Sequence, residues 1–468
     1  MSTQGKATIK AAASNMTGGE RRASASLAMI MATRMLGLFM IFPVFALYAD
    51  EKLADATPTL IGLAIGAYGL TQAVLQIPFG RASDRFGRKR MITIGLLLFA
   101  LGSVVAAMAD NIVWVIIGRA LQGSGAVAAV IMALTADLTR EEQRTKAMAM
   151  IGMSIGASFM LALVIGPLLN AWIGLPGIFW TTAVLAILAI AILWLRVPDP
   201  VHLHTHRDAE LVPDLISSVI TNTQLLRLDA GILILHAVLT ACFITIPFIL
   251  RDTLTIEPAY HSVVYLLVLL FSGAAMVPFI IIAEKYRRMK LIFSGAIALL
   301  GFSLLGMSQW YGHFVGFMVL LWLFFTAFNF LEASLPSLVT KIAPADHKGT
   351  AMGMYSSSQF IGAFIGGSGG GYLYQNYGAA FVFLISAGLL GVWWLLAVTM
   401  KAPRHLSSLV VNFHEFDAAQ AHLLADKLMA VSGIAEAVVI AEEGVAYLKV
   451  DNRQLDRESL QALINAPA

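Results

Sequence analysis

Apolar runs of about 20 residues, separated by short polar breaks, fill most of the chain. They lie near 24–47, 59–79, 91–109, 112–135, 146–169 and 177–196, then 228–249, 260–283, 290–308, 313–340, 350–374 and 378–400. As helices rising ~1.5 Å per residue, each is long enough to cross the ~30 Å hydrocarbon layer of a membrane. Gly80 to Arg90 (GRASDRFGRKR) interrupts two of these runs with a dense charge cluster, which the pattern places in water as a short hairpin between the second and third spans. A comparable run, Glu284, Lys285, Arg287, Arg288 and Lys290, follows about 200 residues later, as expected of parallel repeats around a central pathway.

The periodicity changes after Met400. Strand-like runs at Leu409–Phe413, Ala435–Ile440 and Val445–Val450 alternate with helix-like runs at Asp417–Val431 and Asp456–Asn465, and Glu442-Glu443-Gly444 reads as a hairpin turn. The predicted fold class is therefore an all-α polytopic membrane protein, with 12 transmembrane helices in two six-helix bundles, plus a small α+β unit. The order βαββα is that of a ferredoxin-like domain without its last strand. The expected divisions are a tail at 1–23, bundles at 24–196 and 228–400, linkers at 197–227 and 401–408, and the ferredoxin-like domain at 409–468.

Charge adds orientation. Between spans, the odd-numbered loops hold only Lys52 and Arg251, and the other basic residues gather on the opposite side. Basic loops stay in the cytoplasm, so both termini are expected there, in a multi-pass protein of a bacterial inner membrane. Hydrophobic residues make up 58% of 468 and charged residues 13%, well below the ~25% of soluble proteins. The net charge of +3 does not suggest nucleic acid, and membrane lipids are the expected surroundings. The single cysteine, Cys242, lies in an apolar run, so no internal disulfide or thiolate metal cluster is expected. The first span is expected to act as an uncleaved anchor.

Gly80, Asp84, Arg85, Gly87, Arg88 and Lys89 resemble the loop signature of the major facilitator superfamily, whose members are secondary transporters. That resemblance implies a gating loop on the cytoplasmic side. It places Asp84 near the start of the eleventh helix, around Gly349–Thr350, and pairs a loop arginine with Asp137 at the end of the fourth. Gly118-Arg119-Ala120-Leu121-Gln122-Gly123 resembles the family's intramembrane arginine motif, associated with proton coupling. Gly152, Gly156 and Gly166-Pro167 partly resemble the motif of its drug–proton antiporters, although Asn170-Ala171 stands where a further glycine pair is expected. The segments Arg34-Met35-Leu36-Gly37, Gly69-Leu70-Thr71-Gln72 and Lys348-Gly349-Thr350-Ala351 look like the members that carry a ferredoxin-like tail.

Polar residues inside apolar spans mark candidate function, because each is costly there. Glu332 is the one carboxylate expected well inside a span; burial penalises a carboxylate's charged form, so such a group can exchange a proton. Arg119, Arg34 and His236 are the other proton-coupling candidates, although a histidine in such a span is more often a satisfied core residue than a proton relay. Gln72, Gln76, Gln122, Asn329 and Gln359 are the substrate-cavity candidates. Gln72 and Gln76 share one helical face, as do Asn329 and Glu332.

No phosphate-binding GxxxxGK[ST] loop occurs, and no nucleophile, base and orienting group converge in a motif, so no cofactor, metal or enzyme activity is expected. His202, His204 and His206 read as a flexible loop. The expected function is proton-coupled efflux of small lipophilic molecules by alternating access. The competing readings are a uniporter or importer of a polar metabolite, or a membrane sensor signalling through the tail. The tail is expected to dock on the cytoplasmic loops or to self-associate, with Glu436, Glu442 and Glu443 facing the basic residues at 85–90 and 285–290.

Overall fold

The computed structural model describes residues 16–200, 215–344, 347–401, 406–412, 418–440, 445–451 and 454–465. The histidines at 202–206, the expected turn at 442–444 and parts of both linkers lie outside the described residues. Helices occupy all the predicted spans: Gly18–Phe39, Pro58–Phe86, Arg88–Ala107, Ile112–Ser124 with Ala128–Asp137, Glu141–Arg196, Thr223–Phe248, His261–Lys285, Met289–Trp310, Phe314–Ile342, Lys348–Tyr377 and Ala379–Val398. The fifth and sixth spans share Glu141–Arg196, which turns at Gly174 (φ 68°) instead of passing through the expected loop.

The hairpin at 80–90 is shorter than its charge pattern suggests. The second span stays helical to Phe86 and the third begins at Arg88, so the connection is Gly87 alone. Its φ of 93° is one that a residue with a Cβ adopts only under strain. Arg88 and Lys89 are consequently not in water but buried, which corrects the expectation.

The spans form two six-helix bundles. They meet where the second span crosses the eleventh, and within the second bundle the eleventh lies along the seventh. Small residues make this possible: there is no room for a Cβ at Gly62 against Gly367, or at Gly366 against Ala237. One apolar core runs through both bundles and includes Phe42, Phe159, Phe243 and Phe328. A second belongs to the first bundle, around Leu27, Tyr68, Phe99 and Leu134.

Beyond the membrane helices, β1 (Ser407–Asn412), the helix Ala418–Met429, β2 (Ile434–Ile440), β3 (Val445–Val450) and the helix Arg457–Asn465 realise the predicted βαββα order. The sheet order is β1-β3-β2, antiparallel throughout, with Leu448 opposite Leu409 on one side and Ala437 on the other. Ala446, Leu448 and Val450 face the helices at Leu428 and Leu460, while Val445 and Tyr447 pack with Val438 and Ile440 on the opposite face. With both faces covered, β3 is buried along its whole length.

Candidate functional site

The side carrying the 80–90 loop is called here the basic side, and the opposite one the far side. On the basic side Arg88 ties three elements together. Its Nη1 donates to Asp84 and, at 2.8 Å, to the Ser83 hydroxyl, and its Nε donates to Asp137 at 3.1 Å. Arg88 and Asp137 are both enclosed, and their opposite charges offset each other's desolvation. Lys89 donates to the Val197 carbonyl at 2.9 Å and lies 3.1 Å from Asp199. Asp84 remains half exposed. Arg85 is exposed, its guanidinium over the Phe86 ring, and Gly80 meets no neighbouring atom.

Ahead of the first span, Glu20 caps its helix with Thr17 and accepts from Arg140 Nε at 2.8 Å and Nη2 at 3.0 Å. These donors hold its carboxyl at about 2, far below the usual carboxylate range. Glu20 was not among the candidates drawn from the sequence, because its partner lies 120 residues away.

Within the first bundle the structure brings Arg34, Gln72, Arg119 and Gln122 together around a residue the sequence did not single out, Tyr68. Arg34 Nη2 donates to Gln72 Oε1 at 2.5 Å and to the Gly125 carbonyl at 3.2 Å. That carbonyl is available because the fourth span is interrupted at Gly125. Arg119 Nη1 donates to Gln122 Oε1 at 2.7 Å, and Gln122 Nε2 to Ser103 at 2.7 Å. The Arg119 and Arg34 guanidiniums lie 4.9 and 5.8 Å from the Tyr68 ring centre, within cation–π range. Among the described residues no carboxylate pairs with either arginine, and Arg34 Nε and Nη1 and Arg119 Nε and Nη2 have no acceptor. Gln72, Gln76 and Gln122 are enclosed in this conformation, so they line no open cavity here.

The second bundle holds a cluster of different character. His236 Nε2 lies 3.1 Å from Glu332 Oε2 and 2.7 Å from Gln359 Nε2, and Gln359 Nε2 donates to Glu332 Oε1 at 3.2 Å. Glu332 is not buried as the sequence suggested; its side chain is 36% exposed, one turn from Phe328, which meets Phe159 of the first bundle. Asn329 turns away and donates to Ser272 at 3.1 Å, so it and Glu332 serve different neighbours despite their shared face.

The orientation of the Gln359 amide sets which proton placements satisfy this cluster. If His236 Nε2 carries hydrogen and donates to Glu332, the Gln359 amide cannot also point N–H at that nitrogen. If Glu332 carries the proton and donates to His236, two donors converge on one lone pair. The position of the proton and the orientation of the Gln359 amide are therefore linked.

Among the described residues, the contacts that close the bundles lie on the far side. Arg251, at the end of the seventh span, donates to Glu51 at 2.7 Å, Asp50 at 3.2 Å and Asp252 at 2.6 Å. Thr59 donates to Gln375 at 2.5 Å, joining the second and eleventh spans. Beneath them Phe42 and Phe159 meet Phe243 with ring centres 5.6 and 6.4 Å apart. Toward the basic side the contact ends. A Cβ at Gly273 would lie 3.9 Å from Met160 of the fifth span, whereas a Cβ at Gly156 or Gly152, one and two turns nearer the basic side of that span, would meet no atom within 4 Å. The structure is thus sealed on the far side and open toward the basic side.

Comparison with known proteins fits this architecture. Residues 27–251 and 228–447 match the family described as Major Facilitator Superfamily. The chain belongs to the major facilitator superfamily. It is 44% identical over 449 residues to the inner membrane transport protein YajR of Escherichia coli, covering 96% of this chain and 98% of that one. It is 32% identical to an uncharacterised transporter of Buchnera aphidicola, covering 81% of this chain and 96% of that one. In fold it matches a bacterial homologue of the human lysosomal transporter Spinster, solved in an inward-facing, occupied conformation. That match has TM-score 0.68 and 12% identity and covers 83% of this chain and 98% of that one. This superfamily member is therefore a multi-pass secondary transporter and not an enzyme.

The tail domain of this transporter sits against the basic side of its second bundle. Lys449 Nζ donates to the carbonyls of Lys341, at 3.1 Å, and Ala343, at the end of the tenth span, where the helix dipole favours a cation. Glu436 lies 3.5 Å from the same ammonium, and Asp451 lies 3.5 Å from Arg287. The expected acid-to-basic-loop contact is thus made by Asp451, while Glu436 pairs with Lys449 of its own sheet.

Proposed function

We propose that this transporter is a proton-coupled exporter of small lipophilic molecules, working by alternating access in a bacterial inner membrane with its basic side in the cytoplasm. The observation that carries this reading is the His236–Glu332–Gln359 cluster, a partly exposed titratable site in a molecule sealed on the far side. The proton position and the Gln359 amide orientation are linked there, which gives protonation a structural consequence. The enclosed cations of Arg34 and Arg119 supply a fixed positive charge in the other bundle. The mostly apolar walls suit a lipophilic cargo better than a sugar or an amino acid.

Arg88, Asp84 and Asp137 serve in this reading as the cytoplasmic latch. When the molecule opens to the far side, Asp84 meets the start of the eleventh helix at Gly349 and Thr350, where the helix dipole favours a carboxylate. The unit from β1 onward acts as a cytoplasmic regulatory module, because Lys449 grips the tenth span, the helix that carries Glu332.

The test is uptake into inverted membrane vesicles, or export from proteoliposomes, of a labelled lipophilic compound under an imposed pH gradient. The expected outcome is gradient-driven transport by the native protein and none by Glu332→Gln. Gradient-driven transport retained by Glu332→Gln would end the coupling role of Glu332, and movement indifferent to the gradient in the native protein would favour the uniporter reading.

A further inference from the structure

We propose that Asp229 and Tyr355 form a proton path from the basic side to Glu332. The inference rests on the proton-coupled reading above. The sequence pattern placed Asp229 at the mouth of the seventh span, because the apolar run begins at Leu228. In the structure the helix starts at Thr223, so Asp229 lies nearly two turns inside, 7% exposed, and among the described residues no hydrogen bond or ion pair reaches its carboxylate. An unpaired carboxylate enclosed in a span is costly unless it serves a purpose.

Tyr355 on the eleventh span supplies the connection. Its side chain is buried, its hydroxyl has no hydrogen-bond partner, and it stands one turn below Gln359, which donates to Glu332. Helix register accounts for the placement. The eleventh span lies on the seventh with Gly362 against Leu233, Gly366 against Ala237 and Gly370 against Ala241. Continued one turn toward the basic side, this register brings Ser358 level with Asp229, with Tyr355 just below. Higher on the same two helices, Gln359 already touches His236.

The remaining charged and titratable groups around this stretch are few. The eleventh span contributes Lys348 in addition to Tyr355, and the tenth contributes Glu332 and Lys341. The seventh itself carries Arg227 and His236, while the twelfth offers only the neutral Trp393, against Gly231, and the short helix Ile216–Thr221 has none. The second span meets the seventh farther up, at Gly62 and Ile244.

The transfer conserves atoms and charge. Asp229 takes a proton from water on the basic side. In a conformation where the Tyr355 hydroxyl reaches both carboxyls, the acid gives its proton to the Tyr355 oxygen as Tyr355 O–H gives its own proton to the Glu332 carboxylate. Asp229 returns to its ionised form, Tyr355 stays neutral, and one proton has moved to the cluster.

The test uses the purified full-length protein and needs no cargo. Infrared pH titration of the carboxylic-acid C=O stretch counts the protonated carboxyls, and stopped-flow indicator measurements give the rate of proton uptake. Glu332→Gln should remove one carboxyl band. Asp229→Asn and Tyr355→Phe should keep the Glu332 band but slow its appearance at least about tenfold, and Asp229→Glu should restore the rate. Unchanged uptake at Glu332 in both Asp229→Asn and Tyr355→Phe would overturn the path, as would a failure of Asp229→Glu to rescue. If Glu332 took up no proton in the native protein, the proton-coupled reading itself would fall, and the path with it.

Discussion

The two bundles stand at equivalent places in one repeat, yet their polar centres differ in kind. The first encloses Arg34 and Arg119 around Tyr68, with no carboxylate among the described residues to pair with them. The second leaves Glu332 partly exposed beside His236 and Gln359. The repeat has thus kept the helical frame and divided the polar groups: one half encloses two cations, and the other joins a carboxylate, an imidazole and an amide in one hydrogen-bonded cluster.

A comparison of two buried arginines sharpens this view. Arg88 has Asp137 and Asp84; Arg119 has only neutral neighbours. Arg88→Ala should cost about 3–5 kcal/mol, because it removes the guanidinium that offsets the charge of the enclosed Asp137 carboxylate, and thermal unfolding in detergent measures it. The double variant Arg88→Met, Asp137→Leu should recover most of that loss. Arg119→Met should do the opposite, leaving unfolding unchanged or raising the midpoint while reducing gradient-driven transport at least about tenfold. A large loss of stability in Arg119→Met would mean the first-bundle centre is a structural tie rather than a field source.

Smaller effects separate the tail from the body. Lys449→Ala removes the donor shared by the Lys341 and Ala343 carbonyls and should cost about 1–3 kcal/mol locally. Hydrogen exchange should accelerate at the end of the tenth span and across β3 while the membrane helices keep their protection. The smallest effect is expected at Glu20. Its carboxyl is held at about 2 against an ordinary 4.5, so the Arg140 contact contributes stability above pH 4.5 that is lost as the pH falls through about 2. Glu20→Gln should flatten the acid limb of the unfolding curve and leave neutral-pH transport unchanged.

Several parts of the site were legible in local pattern. Arg119 and Gln122 stand three apart on one helix, and their hydrogen bond follows from that spacing. The Arg88–Asp137 pair was implied by the loop signature. Tyr68, Ser103 and Tyr355 were not legible, because a tyrosine or serine in an apolar span has the same local appearance whether it packs or bonds. Arg251 left a trace that went unused. A lone cation in a loop otherwise free of positive charge had a reason to be there, and the structure supplies Asp50, Glu51 and Asp252 as that reason.

The sequence by itself determined the number of spans, the repeat, the change of architecture after Met400 and the family, because each is written in runs of residue type that water and hydrocarbon sort without reference to distant partners. Only the tertiary structure decided which polar groups meet. Glu332 lies 96 residues from His236 and 27 from Gln359, and Lys449 lies 106 from the carbonyl of Ala343 that it caps. Contacts over such separations depend on how whole helices cross and in what register. Those crossings are set by glycines such as Gly62 and Gly366, whose missing side chains become informative only when the facing backbone is in place.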